Sequence, residues 1–267
     1  MKKYKVLITD FDGTLANSNN QISEETLNAI NAFISRGGIL AVCTGRATDS
    51  IKQILEKVNY KGLLASFNGA VLTDMKTGEE LFRKGLTQEM SARFFTYAMQ
   101  NGLYAHYYPK NAYLYYKHTP YTDVYEKVTW VKGKLAEDLV GFIKNTDEIT
   151  PKILAFDDKE TLDRCHPDLV KLLPECDVVR STDNMIDVNL KGVNKGCACQ
   201  MIAEALGVTV EDCIAVGDAG NDIPMLKSAG LSFAMANAEE SATQVADLIC
   251  PSNDNDGIND IIENYCI

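Results

Sequence analysis

Short apolar runs of strand length recur near both ends of this chain, each leading towards a stretch with helical spacing, and this alternation constrains the fold more than any other feature. Lys5-Val6-Leu7-Ile8-Thr9, residues 39–43 and residues 63–67 are rich in branched apolar side chains, as strands buried on both faces require. Between the first two, Ser23 with Glu24 and Glu25 marks a helix start whose acids suit the N-terminal dipole. Leu27, Ile30, Phe33 and Ile34 then follow helical spacing until Gly37-Gly38 stops the segment. Ile51, Ile54, Leu55 and Val58 mark a second helix, and Asn68-Gly69 a tight turn into Ala70-Val71-Leu72. The C-terminal part repeats the rhythm: a helix over 194–206 closed by Gly207, a strand over 213–216, a helix over 222–229, a strand over 231–234 and a short helix over 241–246. Such alternation predicts an α/β fold with a Rossmann-like parallel sheet covered on both faces.

The middle of the chain has another character. Tyr97, Tyr104, Tyr107, Tyr108, Tyr113, Tyr115, Tyr116, Tyr121 and Tyr125 crowd into it. Residues 104–108 and 112–117 read as strands joined at Pro109-Lys110-Asn111, 135–143 as a helix, 152–156 as a strand, 159–173 as a helix and 177–180 as a strand. We expect residues 85–187 to form an inserted α+β domain, with 1–84 and 188–267 meeting to build one sheet. The tyrosines, with His106, Lys117 and His118, are suited to stacking on or hydrogen-bonding a ligand, but the packing of the inserted domain's own sheet accounts for most of them.

Acidic residues outnumber basic ones by 37 to 26, a formal charge of −11. Such a surface repels nucleic acid and anionic membranes, so neither is an expected partner. Any phosphate-binding site on it needs local cations. No apolar stretch reaches transmembrane length, and the charged start Met-Lys-Lys-Tyr-Lys precedes too short an apolar run for a signal peptide. These features predict a soluble, cytoplasmic protein. The eight cysteines form no C-x-x-C pair, and a chain able to build a full core has no need of a disulfide framework.

Four segments can carry chemistry, each after a strand or at a helix start. Asp10-Phe11-Asp12-Gly13-Thr14-Leu15 places two carboxyl groups at the end of the first strand, where the crevice of a parallel sheet lies and where both a metal and a phosphate can be reached. Cys43-Thr44-Gly45-Arg46 offers a hydroxyl and neighbouring amides to a phosphoryl oxygen. Asn194-Lys195-Gly196 offers a compact positive charge. In Val216-Gly217-Asp218-Ala219-Gly220-Asn221-Asp222, hard oxygen ligands bracket a glycine turn and suit Mg²⁺. Singly, each also reads as an ordinary turn, cap or surface residue; their shared placement distinguishes them.

At these segments the sequence resembles the haloacid dehalogenase superfamily, and within it the Cof-like phosphatases. Asp10 to Leu15 looks like the first family motif, Thr44-Gly45-Arg46 the second, Lys195-Gly196 the third, and Gly217-Asp218 through Asn221-Asp222 the fourth. Further similarity lies in Phe67-Asn68-Gly69-Ala70, Ala234-Met235-Ala236-Asn237-Ala238 and Asn253-Asp254-Asn255-Asp256-Gly257. The resemblance implies that residues 85–187 are a cap domain controlling substrate specificity. It implies that Asp10 is a nucleophile forming an aspartyl-phosphate and Asp12 the acid/base. Thr44, Gly45 and Lys195 would hold the phosphoryl oxygens. Mg²⁺ would be held by Asp10, the main-chain carbonyl of Asp12 and Asp218, with Asn221 and Asp222 orienting those ligands or bound waters. Arg46 and Asn68 are candidates for substrate contact, and whether Asp187 and Asn189 also reach a ligand stays open. The expected substrate is a small phosphorylated metabolite (a sugar, nucleotide or cofactor phosphate), and the expected state a monomer or weak homodimer. Two rivals share the fold: a hexose phosphomutase, which has the same two aspartates and a similar cap, and a non-catalytic sugar-phosphate-binding regulator, whose mark would be loss of Asp10, Asp12, Lys195 or Asp218. A phosphoacceptor signalling domain would be about half this length.

Overall fold

The computed structural model describes residues 3–267; Met1 and Lys2, the opening of the charged start, lie outside the described residues. The first elements are β1 (Val6–Thr9), α1 (Glu24–Ser35), β2 (Ile39–Cys43), α2 (Thr48–Lys57), β3 (Leu63–Ser66), β4 (Val71–Asp74) and β5 (Glu80–Arg83). The middle of the chain supplies α3 (Gln88–Gln100), β6 (Tyr104–Tyr107), β7 (Leu114–Tyr115), α4 (Pro120–Thr129), β8 (Lys134–Leu135) and α5 (Leu139–Asn145). It continues with β9 (Lys152–Phe156), α6 (Lys159–Leu172), β10 (Cys176–Thr182) and β11 (Met185–Leu190). The last stretch holds α7 (Lys195–Leu206), β12 (Cys213–Gly217), α8 (Ile223–Leu226), β13 (Leu231–Met235), α9 (Glu240–Thr243), β14 (Leu248–Cys250) and α10 (Gly257–Tyr265).

Two compact units emerge. The first comprises Met1–Thr48, Ile54–Phe82 and Asn194–Ile267. Its sheet has the order β14-β13-β12-β1-β2-β3-β4-β5, parallel from β14 through β3, with β4 antiparallel to β3. β1 lies between β12 and β2, with Thr9 opposite both Val216 and Val42, so these three strands end side by side. One face packs on α7: Val6, Ile8, Ala41, Cys43, Ala65 and Ala215 meet Ala198, Cys199, Ile202 and Ala203. The small residues of α7 suit a helix lying close against a sheet. On the first unit's other helices, α1 buries Ile30 and Phe33 and packs against α10, which buries Ile258, Ile261 and Ile262.

The second unit comprises Asp49–Gln53 and Arg83–Val193. Its sheet has the order β10-β11-β9-β6-β7-β8, with β7 and β8 the parallel pair. One face buries Ala105, Tyr107, Ile153, Ala155, Ile186 and Val188 beneath apolar residues of α3, α5 and α6. On alternate residues the same strands carry Tyr104, His106 and Phe156, packed as a ring cluster with Tyr113, Tyr121 and Tyr125. Tyr104, Tyr107, Tyr108, Tyr113 and Tyr115 are buried, so most of the tyrosine crowding is core.

Several expected boundaries need correction. The helix expected over 135–143 begins at Leu139: Lys134-Leu135 pairs with Leu114-Tyr115, and the Asp138 side chain caps the helix by accepting from Gly141 N. Of the expected strand 112–117 only Leu114-Tyr115 pairs. The helix expected over 222–229 is the short α8 after a single tight turn. The strand expected over 177–180 is one arm of a hairpin with β11, and α3 and α4, unassigned in the sequence, complete the second unit.

Candidate active site

Asp10 follows β1, and its amide donates to Val216 O at 2.9 Å, fixing the chain exit beside β12. The next two residues turn sharply: Asp12 (φ −75°, ψ 126°) and Gly13 (φ 70°, ψ 1°) hold the central angles of a type II turn. Gly13 meets two demands at once. Its positive φ disfavours a side chain, and a Cβ there would lie 2.4 Å from Asp218 Oδ2. The loop therefore rests directly on Asp218, whose Oδ1 accepts from Thr14 Oγ1 at 2.7 Å.

Lys195 enters from the first turn of α7, which Asn194 caps by accepting from Gly196 N and Cys197 N. Its ammonium lies 2.8 Å from Asp10 Oδ1 and 2.6 Å from Asp222 Oδ1, and its side chain is 0% exposed. A buried cation persists only when such partners replace its water. Asp222 is fully engaged: its Oδ2 accepts the amides of Asp218 and Ala219, both at 3.0 Å, which ties the fourth motif's turn to the same carboxylate. Burial raises the pKa of Asp10 above the ordinary carboxylate range, Lys195 opposes the rise and Asp222 adds to it. Burial lowers that of Lys195, but Asp10 and Asp222 more than offset it and leave the ammonium more basic than usual. Burial also raises Asp218, while its hydrogen bond from Thr14 opposes the change.

Asp12 is held by Arg46, whose Nε donates to Oδ2 at 2.8 Å and whose Nη2 donates to Oδ1 at 2.5 Å. Arg46 also sits 5.0 Å over the Phe11 ring and donates to Asn20 Oδ1 at 3.2 Å. Arg46, a candidate substrate contact by its place in the second motif, is instead engaged with Asp12. Thr44, fully buried after β2, accepts the Arg46 amide on its hydroxyl at 3.2 Å, and its carbonyl accepts the amide of Asn68 at 2.9 Å. Asn68, in the left-handed region, accepts from Asn221 Nδ2 at 3.2 Å, and Gly45 lies close enough that a Cβ would come within 3.1 Å of Asn68 Oδ1. Asp10, Asp12, Thr44, Gly45, Arg46, Asn68, Lys195, Asp218, Asn221 and Asp222 thus gather at the C-terminal ends of adjacent strands. Asp187 and Asn189 lie on β11, where Asp187 pairs with Lys152 at 2.6 Å.

Carboxylate oxygens of Asp10, Asp218 and Asp222 lie within 4.8 Å of one another. Counting Asp12, four carboxylates face two cations, Lys195 and Arg46, an excess of negative charge that an oxygen-seeking divalent cation would balance. Asp222 is committed to Lys195 and two amides, so Asp10 and Asp218 are the carboxylates with capacity to spare.

A parallel sheet with a carboxylate, hydroxyl and lysine cluster at its strand ends is an α/β fold with a polar site in its ligand crevice. Residues 7–262 match the family model of haloacid dehalogenase-like hydrolases, and the chain belongs to that family. It is 26% identical over 273 residues to the 5-amino-6-(5-phospho-D-ribitylamino)uracil phosphatase YcsE of Bacillus subtilis (strain 168), covering 98% of this chain and 96% of that one. It is also 26% identical over 284 residues to a chloroplastic protein of Arabidopsis thaliana named endoribonuclease YBEY; this spans 98% of the chain but only 47% of that relative. A crystal structure of a haloacid dehalogenase-like hydrolase from Bacteroides thetaiotaomicron superposes with a TM-score of 0.88 at 27% identity, covering 98% of this chain and 99% of that one. No helix among the described residues is long and apolar enough to cross a membrane.

Proposed function

We propose that this hydrolase is a Mg²⁺-dependent phosphatase of small phosphorylated metabolites, acting through an aspartyl-phosphate on Asp10. The observation that carries the reading is the Lys195 ammonium held between Asp10 and Asp222 at the strand ends, beside Asp218. The phosphatase name of the Bacillus subtilis relative, which aligns over nearly the whole chain, supports the reaction class.

Asp10 would attack phosphorus through the carboxylate that Lys195 keeps oriented. The leaving oxygen needs a proton, and Asp12, on the turn two residues on, is the group to supply it. Once the alcohol has left, Asp12 would take a proton from the water that hydrolyses the acyl phosphate. The Arg46 fork, one donor to each carboxylate oxygen, fixes where the Asp12 carboxylate points. The Thr44 hydroxyl oxygen already accepts the Arg46 amide, which leaves its O–H to donate to a phosphoryl oxygen beside Lys195 and Gly45 N–H. Mg²⁺ held by Asp10, Asp218 and the Asp12 carbonyl would supply the positive charge that lets an anionic nucleophile meet an anionic phosphate. Residues 85–187 are, in this reading, the cap that selects the alcohol.

Asp10→Asn should abolish Mg²⁺-dependent hydrolysis of p-nitrophenyl phosphate while leaving the thermal transition in place. Full activity in that variant, or in excess EDTA, would sink the mechanism.

A further inference from the structure

Two asparagine-bearing segments, Ala234 to Ala238 and Asn253 to Gly257, stand outside the reaction described above, yet both close on the nucleophile loop. Asn237 follows β13, and its Nδ2 donates to the carbonyl of Gly13 at 2.8 Å. That carbonyl is the exit of the turn whose first central residue is Asp12. Asn253 stands behind Asn237: its amide donates to Asn237 Oδ1 at 3.1 Å, which orients the side-chain amide, and its own Nδ2 donates to Ala16 O at 2.9 Å. One residue on, Asp254 accepts both the amide (2.8 Å) and the hydroxyl (2.6 Å) of Ser18. The same connection after β13 also reaches the fourth motif. Glu239 N donates to Asp218 O at 2.7 Å, and Gly220 N donates to Glu239 Oε2 at 2.9 Å.

We propose that Asn237, oriented by Asn253, is a positioning residue for Asp12: it pins the exit of the Asp12–Gly13 turn and so fixes the reach of the Asp12 carboxyl to the leaving oxygen. Loop backbones without such ties sample several conformations, and general acid catalysis requires the proton donor within hydrogen-bond reach of its target. Arg46 grips Asp12 by its side chain, while Asn237 grips the backbone on the far side of the turn. With both in place the turn and the carboxyl it carries are held from two sides. Asn237 is exposed, so removing its amide opens no core cavity, and its effect is expected in rate rather than in stability.

This inference rests on the acid/base reading of Asp12, and the test separates the two. Two leaving groups are compared in the full chain with Mg²⁺: p-nitrophenyl phosphate, whose phenolate departs with little need of a proton, and phenyl phosphate, whose phenolate is far more basic. The ratio of their kcat/KM values reports protonation in the step that forms the aspartyl-phosphate. Asn237→Ala should lower kcat/KM for phenyl phosphate by about tenfold or more while changing it by less than about threefold for p-nitrophenyl phosphate, with an unaltered melting temperature. Asp12→Asn should show the same selective loss, and a larger one. If Asn237→Ala lowers both substrates equally, or neither, while Asp12→Asn is selective, the positioning role is overturned and the acid role stands. If Asp12→Asn itself shows no selectivity, the acid role fails and the positioning role falls with it.

Discussion

His106 gives the second unit an acid sensitivity that can be worked out in advance. The imidazole is 0% exposed, and burial, with Lys152 nearby, lowers its pKa to about 3. Its hydrogen bonds specify the neutral ring. Tyr108 donates its hydroxyl to Tyr125 at 2.9 Å, so Tyr108 can only accept from His106 Nδ1–H, at 3.3 Å. Thr122 Oγ1 accepts the Thr119 amide and can donate to Tyr104, at 2.7 Å; Tyr104 in turn donates to Nε2, at 2.8 Å. A second proton on the ring would reverse the Tyr104 bond and place a charge among aromatic faces. The folded state resists protonation until about pH 3, while an unfolded chain takes up the proton below about 6.5. Stability from this group is therefore level above about pH 7 and falls as the solution becomes more acid. At pH 5 the loss is RT ln(1 + 10^1.5), about 2 kcal/mol. Trp130 is the only tryptophan in the chain and lies in the second unit, so its fluorescence during urea unfolding reports on this unit. The measured quantity is the fall in unfolding free energy from about pH 7.5 to about pH 5, in the parent minus that in His106→Phe, which cancels the carboxylates and the other two histidines. A difference of about 2 kcal/mol is expected. A difference below about 0.5 kcal/mol would refute the reasoning, because it would mean the ring titrates alike in both states.

Lys195→Met should cost about 3–5 kcal/mol, because Asp10 and Asp222 stay buried without their cation. Burial already raises the pKa of Asp10 and Lys195 opposes the rise, so without the lysine the deficit should narrow as pH falls and widen as it rises, read by thermal denaturation across pH. Gly13→Ala should lower stability by about 1–2 kcal/mol through its positive φ, and activity more severely, because the new methyl group displaces the Asp218 carboxylate. A variant with parental turnover would contradict the close approach seen at that turn.

The strand ends were legible because two periodicities coincide there: an apolar run ends, and a polar motif begins on the next residue. This holds for Asp10 after β1, Thr44 after β2 and Asp218 after β12. The pairing of Asp12 with Arg46 was not legible, since it depends on how two side chains from separate loops rotate toward each other. The roles of Asn237 and Asn253 were hidden for a related reason. Their motifs stand out as words, but their partners are backbone carbonyls, which leave no mark on a sequence. In the second unit α3 carried usable signals, with Thr87 as the cap and Met90, Phe94, Phe95 and Ala98 in helical spacing. The tyrosine-rich stretch beyond it did not, because its residues suit strand and ring cluster alike.

The place of β1 between β2 and β12 also bears on how the protein is made. Ribosomes release β1 early and β12 some two hundred residues later, and the second unit emerges in between. Until β12 arrives, one edge of β1 has no strand to bond, and Asp10 has neither Lys195 nor Asp218 beside it. An open apolar edge of this kind invites pairing with other chains. Its wait lasts about ten to forty seconds at ordinary rates of synthesis. On the role proposed for Asp10, catalytic competence is a late event in the life of each molecule: a nascent chain that has already folded its second unit still has Asp10 without its partners.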